Sequence, residues 1–422
     1  MNIAVTALEK DARATAYALP LDQLNPAQGI LFKTDTMWPY FERLRKEDPV
    51  HYCPESEFGP YWSITKYNDI MAVDTNHQVF SSDFTYGGIT IGGGAANQEP
   101  LPMFIAMDPP RHDIQRKVVT PVVNPANLQY LGPIIRERAG KILDSLPIGE
   151  PFDWVDKVSI ELTTMTLATL FDFPFAERRK LTRWSDVVTA APGHGIVDTI
   201  EQKMMELQEF HAYFTELWNQ RVNAEEAKGD LISMLAHNPA TRNMEPREYF
   251  GNVVLLTVGG NDTTRNTITG SVVALNQNPD QYKKLRDNPD LIPSMVSETI
   301  RWQTPLAHMR RTAKEDIEFQ GKKIKKGDKV VMWYVSGNRD ETVIERPNDY
   351  IVDRENPRRH ISFGFGIHRC VGNRLAELQL QIIWEEIFKR FPVIEQVGEP
   401  KRVHSTFVKG YEHLDVVIPK RN

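Results

Sequence analysis

The chain has 422 residues, 41% hydrophobic and 25% charged, with 50 Lys and Arg against 56 Asp and Glu for a net charge of −6. That composition supports a large buried core and excludes a disordered chain or a short binding peptide. The mild acidity argues against general nucleic-acid binding, which needs a basic face. Cys53 and Cys370 cannot make a disulfide framework, and so point to a reducing compartment.

At the N-terminus, Glu9, Lys10, Asp11 and Arg13 break up any apolar core, so no secretory signal is expected. The longest strongly apolar runs fall far short of the about 20 residues of a membrane helix, and the chain is expected to be cytoplasmic. No repeat or low-complexity linker divides residues 1–422, which read as one domain whose first ~20 residues form a loosely ordered arm. Residues 36–47 read as a helix, and 49–53 with 61–66 as paired strands. Residues 84–107 carry Gly87, Gly88, Gly92, Gly93 and Gly94 with Glu99 as their one charge, a long loop of the functional kind. From about 112 to 300 the pattern is mainly helical. It includes a helix pair over 171–205 turned at Pro192-Gly193 and one long helix over 248–275. Residues 317–335 show a Gly321 turn, a Lys-rich turn ending at Gly327-Asp328, and a strand over 330–335. Residues 403–418 read as a β hairpin around Lys409-Gly410. The fold class is therefore mainly α, with a smaller β-rich region drawn from both ends of the chain.

Two stretches carry chemistry. In the long helix, Gly259-Gly260-Asn261-Asp262-Thr263-Thr264 places adjacent glycines in a helix interior, at a cost of roughly 1 kcal/mol each relative to Ala. A kink or a close approach explains such a pair; so does packing alone. Thr263 can bond within the helix and present a hydroxyl, and Asp262 beside it can carry protons. The second stretch is Phe363-Gly364-Phe365-Gly366-Ile367-His368-Arg369-Cys370-Val371-Gly372, followed by a helix with Ala376, Leu380, Ile383, Ile387 and Phe391 on one face and Pro392 at its end. Cys370 lies at that helix's N-terminus, where amide N–H groups and the dipole favour a thiolate. A thiolate in a glycine-rich loop suits an axial ligand of haem iron. A buried structural cysteine, a nucleophile with His368 as base, and His368 as the iron ligand are the competing readings.

The string Phe-Gly-x-Gly-x-His-x-Cys-x-Gly at 363–372 resembles the signature of the cytochrome P450 family. Residues 259–263 are similar to that family's Ala/Gly-Gly-x-Asp/Glu-Thr pattern. The resemblance implies haem b bound by the Cys370 thiolate, between the long central helix and the cysteine-loop helix. It implies a monooxygenase in which Asp262 and Thr263 deliver the two protons that O–O cleavage needs. An intact pair argues against the peroxide-driven branch of the family. The haem is expected to touch Gly259, Phe363, Gly364 and Gly372. His112 and Arg116, in Asp108-Pro109-Pro110-Arg111-His112-x-x-x-Arg116, with Arg311 and His368, are the implied propionate partners. Glu-x-x-Arg occurs at 42–45, 298–301, 355–358 and 399–402, and by position Glu298 and Arg301 are the structural pair, with Arg354 as third member. The pocket is expected to be apolar, with Leu255, Val258, Leu306, Met309 and Phe407 among its walls.

The chain also resembles the bacterial soluble alkane and medium-chain fatty-acid terminal (ω) hydroxylases. The strings that carry this are Gly-Gly-Asn-Asp-Thr-Thr-Arg-Asn, His308-Met309-Arg310-Arg311-Thr312-Ala313, and the run from Phe365 through Glu386. A bulkier apolar substrate such as a terpene or steroid is the alternative, and a haem sensor without turnover lies outside the class. No flavin or nicotinamide fingerprint occurs, so electrons must come from another protein. Arg354, Arg358, Arg359, Arg369 and Arg374, with Glu355 as the one acid among them, suggest a basic face for an acidic [2Fe–2S] ferredoxin served by a separate reductase.

Overall fold

A single helix, Pro246–Gln277, runs through the middle of the molecule. Pro246 opens it, at a position where the missing N–H is no loss. Its residues are buried on nearly every side, polar ones such as Asn252, Asn261, Asp262 and Asn266 among them. It packs against the helices Glu161–Phe171, Arg179–Thr189, Ile292–Gln303 and Asn373–Arg390. The helix Asn373–Arg390 starts just after Cys370 and buries Leu380, Ile383, Trp384 and Ile387. It ends where Phe391 turns extended before Pro392. Salt bridges Arg136–Glu386 (2.8 Å) and Arg390–Asp144 (2.7 Å) fasten it to the helix Pro125–Asp144. This computed structural model describes residues 7–93 and 100–422. Gly94 and Glu99 of the expected long loop lie outside them.

The strands in chain order are β1 (Val50–Cys53), β2 (Tyr61–Ile64), β3 (Phe80–Ser81), β4 (Phe152–Asp153), β5 (Met309–Ala313), β6 (Ile317–Phe319), β7 (Lys322–Ile324), β8 (Lys329–Met332), β9 (Glu395–Gln396), β10 (Lys401–Arg402), β11 (Tyr411–His413) and β12 (Asp415–Val417). The largest sheet has the order β1-β2-β8-β5-β3, so its members come from both ends of the chain. β2 and β8 are parallel, with Trp62 opposite Val330, and the other pairs in that sheet are antiparallel.

Three expectations need correction. Of the expected loose arm, residues 1–6 lie outside the described residues, and Ala7–Ala18 is a helix docked on Trp38–Glu47. Arg43 donates to the carbonyls of Ala16 and Leu19 at 2.6 Å, and Arg13 pairs with Glu42 at 2.6 Å. The expected strand over 330–335 stops at Met332, and Tyr334–Gly337 is a short helix. An apolar run this short, buried throughout, does not distinguish the two periods. The terminal hairpin does not turn at Lys409-Gly410. β11 pairs with β10 across residues 403–410, and β12 leaves to lie between β4 and β9. Lys409 is unavailable for a solvated turn, being buried and donating to the Gln303 carbonyl at 3.1 Å beside the rings of Trp38 and Trp302.

Candidate active site

The cysteine loop folds back on itself. Cys370 N donates to the Phe363 carbonyl at 2.8 Å, and Gly364 and Gly366 adopt φ of +68° and +65°, which other residues rarely do. Phe365 N donates to Asp74 Oδ2 at 2.7 Å, which ties the loop to a segment 291 residues earlier. Cys370 is enclosed deep in the fold, yet its side chain is left uncovered by packing. Burial pushes its thiol above the ordinary value, against the pull of the Gly372 and Asn373 amides and the charges of Arg116 and Arg369. Burial thus opposes the helix N-terminus here, an opposition that a bound metal cation would offset. Gly372 lies against this sulfur, its Cβ position 4.0 Å from Sγ. Cys53 is buried in β1, where its thiol donates to the Glu55 carbonyl at 3.3 Å.

Two imidazoles meet beside this loop. The rings of His112 and His368 are 4.3 Å apart. His112 Nδ1 bonds Asp113 Oδ1 at 2.8 Å, and His368 Nε2 bonds Ser82 Oγ at 2.8 Å. Their remaining nitrogens, His112 Nε2 and His368 Nδ1, are buried without a partner among the described residues. Such orphans are costly and call for an outside group. Burial lowers both imidazoles; the charges of Arg311 and Arg116 depress His368 further. A carboxylate brought to them would reverse that shift and restore donors. Arg116, half-buried, donates to the Arg369 carbonyl and its charge reaches Cys370. Arg311, expected to spend its guanidinium on a propionate, is instead ion-paired with Asp74 at 2.6 Å, both groups buried. Asp74 also accepts from Tyr334 Oη at 2.9 Å. His77 joins this group unannounced by the sequence: its charge bears on His112 and His368, and its Nδ1 is also a buried orphan.

On the central helix, Leu255, Gly259 and Thr263 are four apart and share one face, and between residues 249 and 275 Gly259 is the exposed position. The two glycines differ in purpose. A Cβ on Gly260 would press on Leu167 Cδ1 at 2.9 Å, whereas one on Gly259 would meet nothing within 4 Å. Gly260 therefore serves helix packing, and Gly259 leaves room for something other than protein. The helix runs unbroken through both. Thr263 Oγ1 donates to the Gly259 carbonyl at 3.2 Å. Asp262 is buried, its Oδ1 accepting from Ser185 Oγ (2.8 Å) and Asn261 Nδ2 (3.0 Å) and pairing with Arg265 (3.2 Å). Its Oδ2 has no partner among the described residues. Burial pushes this carboxyl up against the pull of Arg265. Arg265 continues to Asp186 at 2.8 Å, which is partly exposed, so a chain of charged groups links Asp262 to the surface.

Glu298 and Arg301 are fully buried and paired at 2.7 Å, and Arg354 joins the same carboxylate at 2.9 Å. The five expected pocket residues fall into two apolar groups. Leu255 and Val258 belong to the large helical core, and Leu306, Met309 and Phe407 to the core beside the main sheet. Residues 305–309 and 406–409 run together, with Ala307 N donating to the Phe407 carbonyl at 2.9 Å and Leu306 bridging Val408. Arg358, Arg359, Arg369 and Arg374 are exposed. Arg358 comes no nearer to an acid than 3.7 Å, at Glu377.

A cysteine in a glycine loop, two orphaned imidazoles backed by arginines, and a helix glycine with open space before it fit haem held through a thiolate: this is a haem-thiolate site. The family model for cytochrome P450 matches residues 55–416, and the chain belongs to the cytochrome P450 family. It is a haem-dependent monooxygenase. Cytochrome P450-153 from Novosphingobium aromaticivorans is similar over 94% of this chain and 99% of that one, at 47% identity and a TM-score of 0.87. Linalool 8-monooxygenase of Pseudomonas putida is 37% identical over 90% of this chain and 95% of its own. A methyl-branched lipid omega-hydroxylase of Mycobacterium bovis is 31% identical over 89% of this chain and 90% of its own. Among the described residues, no helix is long and apolar enough to cross a membrane.

Proposed function

We propose that this monooxygenase hydroxylates the terminal methyl group of medium-chain alkanes or fatty acids, using electrons from a [2Fe–2S] ferredoxin and its NAD(P)H-dependent reductase. The observation that carries the reading is the character of the expected walls: Leu255, Val258, Leu306 and Phe407, partly buried, and Met309, buried, are all apolar. The omega-hydroxylase name of a relative supports it. Haem held by a thiolate supplies oxygen activation, and sulfur donation favours O–O cleavage. The chain supplies the rest. His112, Arg116 and His368 bind the propionates, with Arg311 contributing charge from its pair with Asp74. Phe363, Gly364 and Gly372 line the sulfur side, and Gly259 lets the ring approach the central helix. Thr263 and Asp262 hold and pass protons, while Arg265, itself paired with Asp186, holds the Asp262 carboxylate in place as a fixed charge. Arg358 and Arg359 dock the acidic ferredoxin; reversing both charges should weaken reduction and flatten its salt dependence. The enzyme would work in the cytoplasm.

The second reading, a bulkier apolar substrate, is favoured by the similarity to linalool 8-monooxygenase. The test is product analysis after incubation with n-octane, dodecanoic acid and linalool, given a surrogate ferredoxin, its reductase and NADH. Terminal alcohol or ω-hydroxy acid supports the first reading. Subterminal products alone refute it, and turnover of linalool alone selects the second.

A further inference from the structure

Arg310 lies between Met309 and Arg311 on β5 and points to the opposite face of the sheet from both. Its side chain is buried, and no carboxylate pairs with it among the described residues. Backbone carbonyls take that place. Nη2 donates to Tyr86 O at 2.9 Å, and Nη1 donates to Gly87 O at 3.3 Å and to Gly93 O. Thr312 Oγ1 accepts a further bond at 3.1 Å. Burial lowers this guanidinium to about 10, so it stays charged at neutral pH. A buried cation without a counter-charge is costly unless dipoles replace its water, and here one loop supplies them. Gly87 has φ +101°, and a Cβ built on it would fall inside the guanidinium.

His308 makes the matching tie two residues earlier. Its Nδ1 donates to the Thr406 carbonyl at 2.7 Å, and its Nε2 accepts from Ile91 N at 3.3 Å. Burial lowers it to about 4, which keeps one neutral tautomer in place. Its ring lies edge-on to Phe407 at 5.4 Å. Between the two ties, Arg310 N donates to the Ile89 carbonyl at 2.8 Å, and Ile89 packs in the same apolar group as Leu306, Met309 and Phe407. Residues 308–310 thus hold two separate loops, each lending a side chain to the apolar group.

We propose that Arg310 is a positioning residue for substrate selection: with His308, it fixes residues 86–93 against β5 and so sets which carbon of a chain substrate is presented for hydroxylation. The inference rests on the terminal-hydroxylation reading above. Neighbouring chain carbons are about 1.5 Å apart, so a wall displaced by that much exchanges a terminal for a subterminal carbon.

The test uses haem-loaded full-length Arg310→Lys, which keeps the charge but loses the planar fork that serves several carbonyls at once. Gly87→Ala attacks the same contact from the loop side. Each is read by amide hydrogen exchange over residues 84–93, by the terminal-to-subterminal product ratio with dodecanoic acid, and by the carbon monoxide spectrum as a check of the haem-thiolate centre. Faster exchange with a retained spectrum and a ratio lowered by about tenfold supports the proposal. Faster exchange with an unchanged ratio, or unchanged exchange, overturns it. If Arg310→Lys does not retain haem, Gly87→Ala carries the same two outcomes. A wild type that makes only subterminal products refutes the terminal reading, while the positioning role is then judged on whether the variants alter that product profile.

Discussion

Replacing Glu298 by Gln should remove a large share of the fold's stability. Glu298 Oε2 accepts from Arg301 Nε (2.7 Å) and Arg354 Nε (2.9 Å), and Oε1 from Arg301 Nη2 (2.8 Å), Arg354 Nη2 (3.1 Å) and Ile351 N (2.9 Å). Glutamine keeps the shape but turns one of these oxygens into a donor facing donors, and leaves two guanidinium groups without a counter-charge. Breaking a buried pair in this way costs about 3–5 kcal/mol. Arg354 is partly accessible and recovers some hydration, whereas Arg301 is fully buried and recovers none. Against a total stability of about 5–15 kcal/mol, the loss is a fifth or more. Urea unfolding of the haem-loaded proteins, followed by tryptophan fluorescence and Soret absorbance, measures it. A midpoint corresponding to less than about 1 kcal/mol would show that the network carries little of the stability. The pH dependence has a definite sign. Burial would raise Glu298, but the bonds and charges of Arg301 and Arg354 outweigh it and hold the carboxyl below its ordinary value. Its stabilisation is therefore complete above the unfolded glutamate range and is lost as pH falls through the lowered folded value. The gap between wild type and variant should stay constant from neutral to mildly acid pH and close only in strong acid.

Thr263→Ala should keep haem and an unchanged carbon monoxide spectrum, with less product and more hydrogen peroxide per NADH consumed; unchanged coupling would remove Thr263 from proton delivery. Asp262→Asn should lower turnover by about a hundredfold. Because burial raises the Asp262 carboxyl, wild-type turnover should decline as pH rises through that raised value, and this limb should be missing from the variant's pH profile. Cys370→Ala should abolish the red-shifted carbon monoxide band, and its persistence would move the ligand elsewhere. His112→Leu and His368→Leu should each speed haem transfer to apomyoglobin by roughly tenfold or more, from the loss of a charge-assisted hydrogen bond; equal transfer rates would exclude them as propionate partners.

What the sequence disclosed was local. The cysteine loop and its helix were readable because glycines, cysteine and a 3.6-residue apolar period fall within thirty positions of one another. The pair Glu298–Arg301 was readable because a helix sets their spacing. What escaped were partners chosen by the fold. Arg311 gave no sign of Asp74, 237 residues away, and Asp262 none of Ser185, 77 residues away. His77 sits in Asn-His-Gln, with nothing to mark it, and joins His112 and His368 only in space. The distinct purposes of Gly259 and Gly260 were equally hidden, since they depend on where Leu167 stands. Lys409 misled in the opposite way: Lys-Gly is a sound turn signal, but two indoles and a carbonyl made burial of that lysine acceptable.

The tie between Asp74 and Phe365 also sets a timetable for the chain as it is made. With 291 residues between the two partners, and synthesis at about 5–20 residues per second, roughly 15–60 s separate the appearance of one from the other. For most of that interval β1 and β2 can pair with each other, but β8 has not yet been synthesised and the open edge of β2 has no neighbour. Haem cannot be seated before residues 363–372 emerge. A temperature rise or a shortage of haem during expression therefore acts on a half-built sheet, and yield should respond to conditions during synthesis far more than the finished enzyme's resistance to urea would suggest.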